Sequence, residues 1–311
     1  MSGYFEVYRG IANAWECDIM GHLNVQFYTG KASEGMGHVR AACGMTPAYI
    51  RETQHTMVAG HSLSRYVREL LAGDVLYVEA AVLGVGEQTV DLVIDILHAD
   101  DGALSASFEL TCVSFDMRSR RATPWPAEMR QRLATMVTPR RDTPRPPTTG
   151  GPTSGEPAHG YADTFITARG SVMSWECDEF GHMSARFFMA RAADAIGHMK
   201  ERFGFSRRLT RERNWGSAAL EYTIEFRREM LAGDIYTMHS GLIDVARKTF
   251  RFGHVLVEDC SGEVCATFDA IGCMLDLDAR RAMEIPADLQ ASAAQHIIEW
   301  PQPAVARLAA E

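Results

Sequence analysis

The sequence predicts an α+β protein made of two tandem units, each a long helix wrapped by a five-stranded antiparallel sheet. Three observations predict it. The 311-residue chain repeats itself without a gap at a shift of 160 residues. Each copy orders one strand, one helix and four further strands. A segment rich in Pro, Gly, Ser and Thr separates the copies.

The repeat is clearest around the first glycine turn. Trp15, Glu16, Cys17, Asp18, Gly21 and His22 fall on Trp175, Glu176, Cys177, Asp178, Gly181 and His182. A second block sets Arg68, Glu69, Leu71, Ala72, Gly73 and Asp74 on Arg228, Glu229, Leu231, Ala232, Gly233 and Asp234. Gly37-His38, Asp116, Arg120-Arg121 and Pro126 recur as Gly197-His198, Asp276, Arg280-Arg281 and Pro286. A duplicated unit of about 130 residues is a whole domain, since solenoid repeats run roughly 20 to 50. The expected domains are 1–137 and 161–311. Residues 138–160 between them hold almost no large apolar side chain and read as a flexible linker. Fully extended, it would reach ~70 Å at about 3.3 Å per residue.

Within the first copy, residues 3–12 alternate like a strand, and the segment WECDIMGH breaks the alternation. Residues 24–43 read as a helix that stops near Gly44. Strand-like stretches follow at 55–68, 74–84, 87–98 and 103–116, with Gly73-Asp74, Gly84 to Gly86 and Asp100 to Gly102 as turn signals. Consecutive strands on short turns predict a four-stranded meander. The helix, apolar at Phe27, Met36 and Val39, must bury a face against that sheet.

Composition narrows the function classes. The chain is 46% hydrophobic and 23% charged, with a formal charge of -9 shared nearly evenly between the halves. An acidic chain without a basic face argues against nucleic acid as a partner. No apolar run has the length of a membrane span, and the opening residues lack the order of a signal peptide, so the expected location is cytoplasmic with no membrane partner. Seven scattered cysteines without close pairs are expected to be reduced thiols. Glu16, Cys17, Asp18 and His22 lie close in sequence, but alternate side chains of an extended segment point apart, which disfavours a metal site.

In the first copy, D-I-M-G-H-L-N-V-Q-F-Y from Asp18 to Tyr28 resembles the D-x-x-G-H-x-N-x-x-x-Y signature of hotdog-fold thioesterases of the 4-hydroxybenzoyl-CoA thioesterase type. Glu34 in the helix, Tyr66 ahead of Ala72-Gly73-Asp74, and the ending Asp116, Arg120, Pro124 are similar to the same family. The resemblance covers nearly the whole unit and implies a double hotdog acting on an acyl-CoA substrate, with no cofactor. Hotdog units commonly pair, so it also implies an intrachain pseudo-dimer, with further homo-oligomerisation open. The family's catalytic acid corresponds to Asp18.

These residue types suit thioester hydrolysis. A carboxylate serves as nucleophile or as base for water. The backbone amides of Asn24 and Val25, at the start of the helix, would cradle the oxyanion. Gly21 admits the thioester close to the main chain, and His22 and Asn24 would orient the carboxylate or the water. The second copy keeps Asp178 and His182 but replaces Asn24 by Ser184, Tyr28 by Phe188, Glu34 by Asp194 and His61 by Glu221. Tyr28, His61 and Glu221 are the expected substrate-lining residues.

Plainer readings stand beside these. Asp18 would serve equally to satisfy amides ahead of a helix, and His22 to bond the turn. Cys17 and Cys177 read as small buried residues, Glu34 as a surface or interface carboxylate. Arg120-Arg121 and Arg280-Arg281 read as solvated strand-end charges or as contacts to coenzyme A phosphates. Two other functions remain open: a hotdog enoyl-CoA hydratase, whose D-x-N-P-x-H pattern differs in spacing and proline, and a non-catalytic acyl-CoA-binding module.

Overall fold

The computed structural model describes residues 3–142, 156, 157 and 159–300, which form two compact units, one from each copy. The first contains β1 (Phe5–Ile11), α1 (Val25–Ala42), α2 (Pro47–Thr53), β2 (His55–Tyr66), β3 (Val75–Val85), β4 (Thr89–His98), β5 (Leu104–Asp116), β6 (Arg121–Ala122) and α3 (Ala127–Met136). The second contains β7 (Phe165–Ser171), α4 (Ala185–Arg202), α5 (Arg207–Glu212), β8 (Trp215–Phe226), β9 (Ile235–Val245), β10 (Thr249–Glu258), β11 (Val264–Asp276), β12 (Arg281–Ala282) and α6 (Ala287–Ala294). A long helix against a five-stranded antiparallel sheet, found in both units, is the hotdog fold. Among the described residues, no helix is long and apolar enough to cross a membrane.

Strand order departs from a simple meander. In the first unit it is β1-β3-β4-β5-β2, and in the second β7-β9-β10-β11-β8. Strands β3, β4 and β5 are consecutive neighbours, but β2 pairs with β5 from His55 opposite Asp116 to Tyr66 opposite Ala106. The connection from β2 to β3 therefore does not close a hairpin. It runs past the turn ahead of α1, where Leu23 N donates to Leu70 O at 2.7 Å.

Helix α1 begins where Asn24 Oδ1 accepts from Gln26 N at 3.1 Å, satisfying one of the amides that lack an intrahelical partner. It ends at Gly44, whose φ of 99° suits a residue without a Cβ. Its buried face is Tyr28, Ala32, Gly35 and Val39, with Phe27 and Met36 at the margins. Gly35 is required by contact, because a Cβ there would meet Val7 Cγ2 at 2.8 Å.

Helices α2 and α3 are absent from the sequence-based expectation. Thr46 and Pro47 start α2. Helix α3 begins after Pro126 and buries Met129, Leu133 and Met136 in the core, an i, i+4, i+7 stripe of an ordinary amphipathic helix. The expected linker also needs revision at its start. Thr138 N donates to Val82 O at 2.9 Å, Arg140 pairs with Glu109 and Arg141 with Glu79, so residues 138–142 lie along the sheet. Residues 143–155 and 158 of that segment lie outside the described residues.

Candidate active site

The chain between β1 and α1 is a tight, hydrogen-bonded turn. Asp18 N donates to His22 O at 2.9 Å, and Gly21 N donates to Asp18 O at 3.0 Å. Gly21 sits at φ 81° with open space where a Cβ would be, a conformation that favours glycine and leaves the main chain approachable. The turn brings the two signature side chains together: His22 Nε2 lies 3.0 Å from Asp18 Oδ2. The other carboxylate oxygen, Oδ1, accepts from Met20 N at 2.8 Å. Both side chains are mostly buried, with 13% of His22 and 18% of Asp18 accessible, so one edge of the pair faces solvent.

A third member comes from the β2–β3 connection. Glu69 Oε2 lies 3.7 Å from His22 Nδ1, an ionic contact longer than a hydrogen bond. His22 thus stands between two carboxylates, Asp18 at hydrogen-bond distance and Glu69 farther off. Glu69 is absent from the residues expected at the site. Its signal was the repeat itself, which preserves Glu69 as Glu229, but its role depends on the unexpected path of that connection.

Glu16 points away from the pair. It accepts from Asn13 N at 2.9 Å and pairs with Lys31 Nζ at 2.9 Å, and Lys31 also donates to Ile11 O at 3.0 Å. Burial pushes the Glu16 carboxyl up, but the bonds from Lys31 and Asn13 outweigh it and hold the group below its usual range. Cys17 Sγ bonds to Asn13 O at 3.5 Å, and burial with the neighbouring Asp18 raises its thiol pKa, the reverse of an activated nucleophile.

The amides expected to form an oxyanion cradle divide. Asn24 N is already spent on Glu16 O at 3.0 Å, because the turn tucks the helix start against the preceding residues. Asn24 in turn uses its side chain to cap α1. Val25 N, the first of the helix, has no carbonyl four residues back to meet and remains the candidate donor. Tyr28 is 4% exposed. Its Oη accepts from Leu70 N at 3.0 Å and stands 3.3 Å from Ser105 Oγ, and burial lifts its pKa to about 12. It anchors the β2–β3 connection from inside the core. His61 lies in mid-β2 opposite Thr111, beside a bulge, and Glu221 lies buried at the matching place in β8. Both are strand residues, outside the turn. Glu34 is exposed on α1, and Arg121 and Arg281 are exposed at strand ends.

In the second unit the turn is repeated with altered detail. Gly181 has φ 82°, and Asp178 Oδ1 accepts from Phe180 N at 2.9 Å. His182 presents Nδ1 rather than Nε2, 3.2 Å from Asp178 Oδ2. Burial raises the Asp178 carboxyl above its usual range, against the opposing effect of His182. Ser184 makes no side-chain cap. Exposed apolar groups flank both turns: Trp15, Ile19, Leu71 and Val75 in the first, Trp175, Leu231 and Ile235 in the second. Glu179 stands where the first unit has Ile19.

The family model of the thioesterase-like superfamily matches residues 12–133 and again 172–292. No curated protein matches the chain. Among solved structures, a Lactobacillus plantarum protein assigned as an oleoyl thioesterase superposes with a TM-score of 0.67 at 14% identity, covering 88% of this chain and 96% of its own. An acyl-ACP thioesterase from Bacteroides thetaiotaomicron gives 0.61 at 14% identity over 87% and 97%. The 12:0-ACP thioesterase from Umbellularia californica gives 0.65 at 12% identity over 86% and 93%. At these identities the likeness is one of fold.

Proposed function

The chain belongs to the thioesterase-like superfamily and is a thioester hydrolase, and on that premise we propose that it hydrolyses an acyl-CoA to free acid and coenzyme A at the turn carrying Asp18. The observation that supports this reading is the Asp18–His22 pair, 3.0 Å apart on a glycine turn immediately ahead of a helix. Met20 N and His22 together hold the carboxylate, and Glu69 stands 3.7 Å from the imidazole's other nitrogen. In this reading Asp18 takes the proton of a water that attacks the thioester carbonyl. Negative charge gathering on the carbonyl oxygen is met by Val25 N and the positive end of α1. The C–S bond then breaks, with the thiolate as a leaving group. The exposed Trp15 and Ile19 beside the turn give an apolar acyl group a surface to lie on.

The choice of coenzyme A as carrier rests on the resemblance of the first-unit signature to the CoA-type enzymes. Two of the structurally similar proteins are named acyl-ACP thioesterases, so the assay should offer matched acyl-CoA and acyl-ACP substrates. Free thiol is expected from acyl-CoA, and Asp18→Asn should lower kcat at least ~100-fold with little change in melting temperature. Near-wild-type rates in Asp18→Asn would remove the catalytic assignment. Water addition to an enoyl-CoA without thiol release would make the protein a hydratase, and tight acyl-CoA binding without turnover would make it a binding module.

A further inference from the structure

The two units differ in their interiors more than in their turns. In the second unit a cavity of about 60 Å³ lies between α4, α5 and the sheet. Its floor is β11, between β10 and β8 and small at Ala270 and Gly272, and its walls are aromatic: Tyr222 on β8 and Phe250 and Phe252 on β10. Register fixes this shape, since Tyr222 and Phe252 both stand opposite Ala270, and Phe250 opposite Gly272. In the first unit the corresponding floor carries Leu110 and Cys112, the walls shrink to Ser62, Val90 and Leu92, and fully buried Met57 stands where the second unit has Ser217. Unit one fills this space with its own side chains. Unit two moves the bulk to the sides and leaves a trough.

One end of the trough is polar. Lys200 of α4 and Ser217 of β8 both line it, with Lys200 Nζ donating to Ser217 Oγ at 2.7 Å. An ammonium and a hydroxyl at one end of a mostly apolar chamber, which Thr210 and Tyr222 also line, complement an anionic head on an apolar body. The volume is about four to six times the ~10–15 Å³ that one water requires, room for an apolar group of roughly that many heavy atoms. The cavity is also separate from the Asp178 turn. Ile196 and Lys200 lie roughly 16 to 22 Å along α4 from its start at about 1.5 Å per residue, and buried Met189, Ala192, Ala195 and Met199 occupy the intervening helix.

We propose that this cavity is a binding site for a small apolar carboxylate, branched or aromatic, with its carboxylate on Lys200 and Ser217 and its apolar body between Tyr222, Phe250 and Phe252. It lies outside the proposed thioester-cleaving turns, and binding there requires no turnover.

The test is calorimetric titration of the full-length protein with 3-methylbutanoate and benzoate, and with the neutral 3-methylbutan-1-ol. The wild type should bind the acids saturably, one per chain. Ser217→Met, which copies the first unit, should weaken both acids at least ~10-fold, and Ala270→Leu, filling the floor from the other strand, should do the same if Ser217→Met fails to fold. Lys200→Met should weaken the acids but leave the alcohol unchanged. Asp18→Asn and Asp178→Asn should leave acid binding intact, which separates this site from product bound at a turn and keeps the result independent of the hydrolase assignment. No saturable binding, binding that survives both cavity fillers, or loss only in the aspartate variants would overturn the proposal.

Discussion

Tyr28 is a signature residue whose contacts in the structure are with the β2–β3 connection and the core. Its Oη takes the Leu70 amide and faces Ser105, and Ser105 Oγ also donates to Arg68 O at 2.6 Å. The hydroxyl thereby holds the connection that carries Glu69 to His22. In the second unit Phe188 and Cys265 occupy the matching positions, so hydroxyl and partner have been exchanged together. Tyr28→Phe removes the acceptor for a buried amide and should cost about 1–3 kcal/mol of unfolding free energy, measured by chemical denaturation. Tyr28→Phe with Ser105→Cys should cost less than the two changes summed; strict additivity would show that the two groups do not act as a unit. At this scale the sequence was informative where partners are local. Asp18 and His22 are four residues apart and could be paired from the motif. Glu69 could not, because its approach depends on a strand order that runs against the simple meander.

Among the elements, the short helical turn at Ala14–Glu16 owes its position to a buried ion pair. Lys31 is 2% exposed within α1 and spends its ammonium on Glu16 and on Ile11 O, tying the end of β1, the turn and the helix at one point. The second unit makes the same link with Glu176 and Arg191. Removing one partner of such a pair strands the other, so Lys31→Met should destabilise the protein by roughly 3 kcal/mol near neutral pH. Because the folded-state pKa of Glu16 is depressed, the stability it contributes is present above its ordinary value of 4.5 and is lost as pH falls through the lower folded value. The gap between wild type and Lys31→Met should therefore narrow on acidification, as thermal melts across pH would report. A gap that stays constant would mean that Lys31 acts by packing alone. This pair was hidden in the sequence, since a lysine inside a helix reads as solvated until the fold buries it. Helix α3 was hidden less deeply: its Met129, Leu133, Met136 stripe has helical spacing, but it follows Pro126 at the end of a unit whose expected elements were already complete.

At the scale of the whole chain, gapless duplication makes the fold legible, because Gly44, Gly73-Asp74 and Gly102 recur as Gly204, Gly233-Asp234 and Gly262, but it does not make the copies equivalent. The first unit has the Asn24 cap, Nε2 of His22 on the carboxylate, Glu69 against the opposite nitrogen and apolar Ile19 beside the turn. The second has an uncapped Ser184, a histidine turned to present Nδ1, and Glu179 in place of Ile19. Burial also holds the Asp178 carboxyl above its usual range, against the opposing effect of His182. The second unit instead carries the Ser217–Tyr222 trough, which no motif announces, since it arises from small residues on one strand facing large ones on its neighbours. We therefore expect the two turns to contribute unequally to turnover. Asp18→Asn should abolish most of kcat while leaving the melting temperature nearly unchanged. Asp178→Asn should leave kcat within about 3-fold of wild type, well short of the ~100-fold that a positioned acid-base group supplies. Measuring both variants at saturating substrate, with melting temperatures alongside, separates a lost chemical group from a lost fold. Equal and large losses of kcat in two well-folded variants would mean that both turns take part in each catalytic cycle, and the division of labour drawn from their differing geometry would then be wrong.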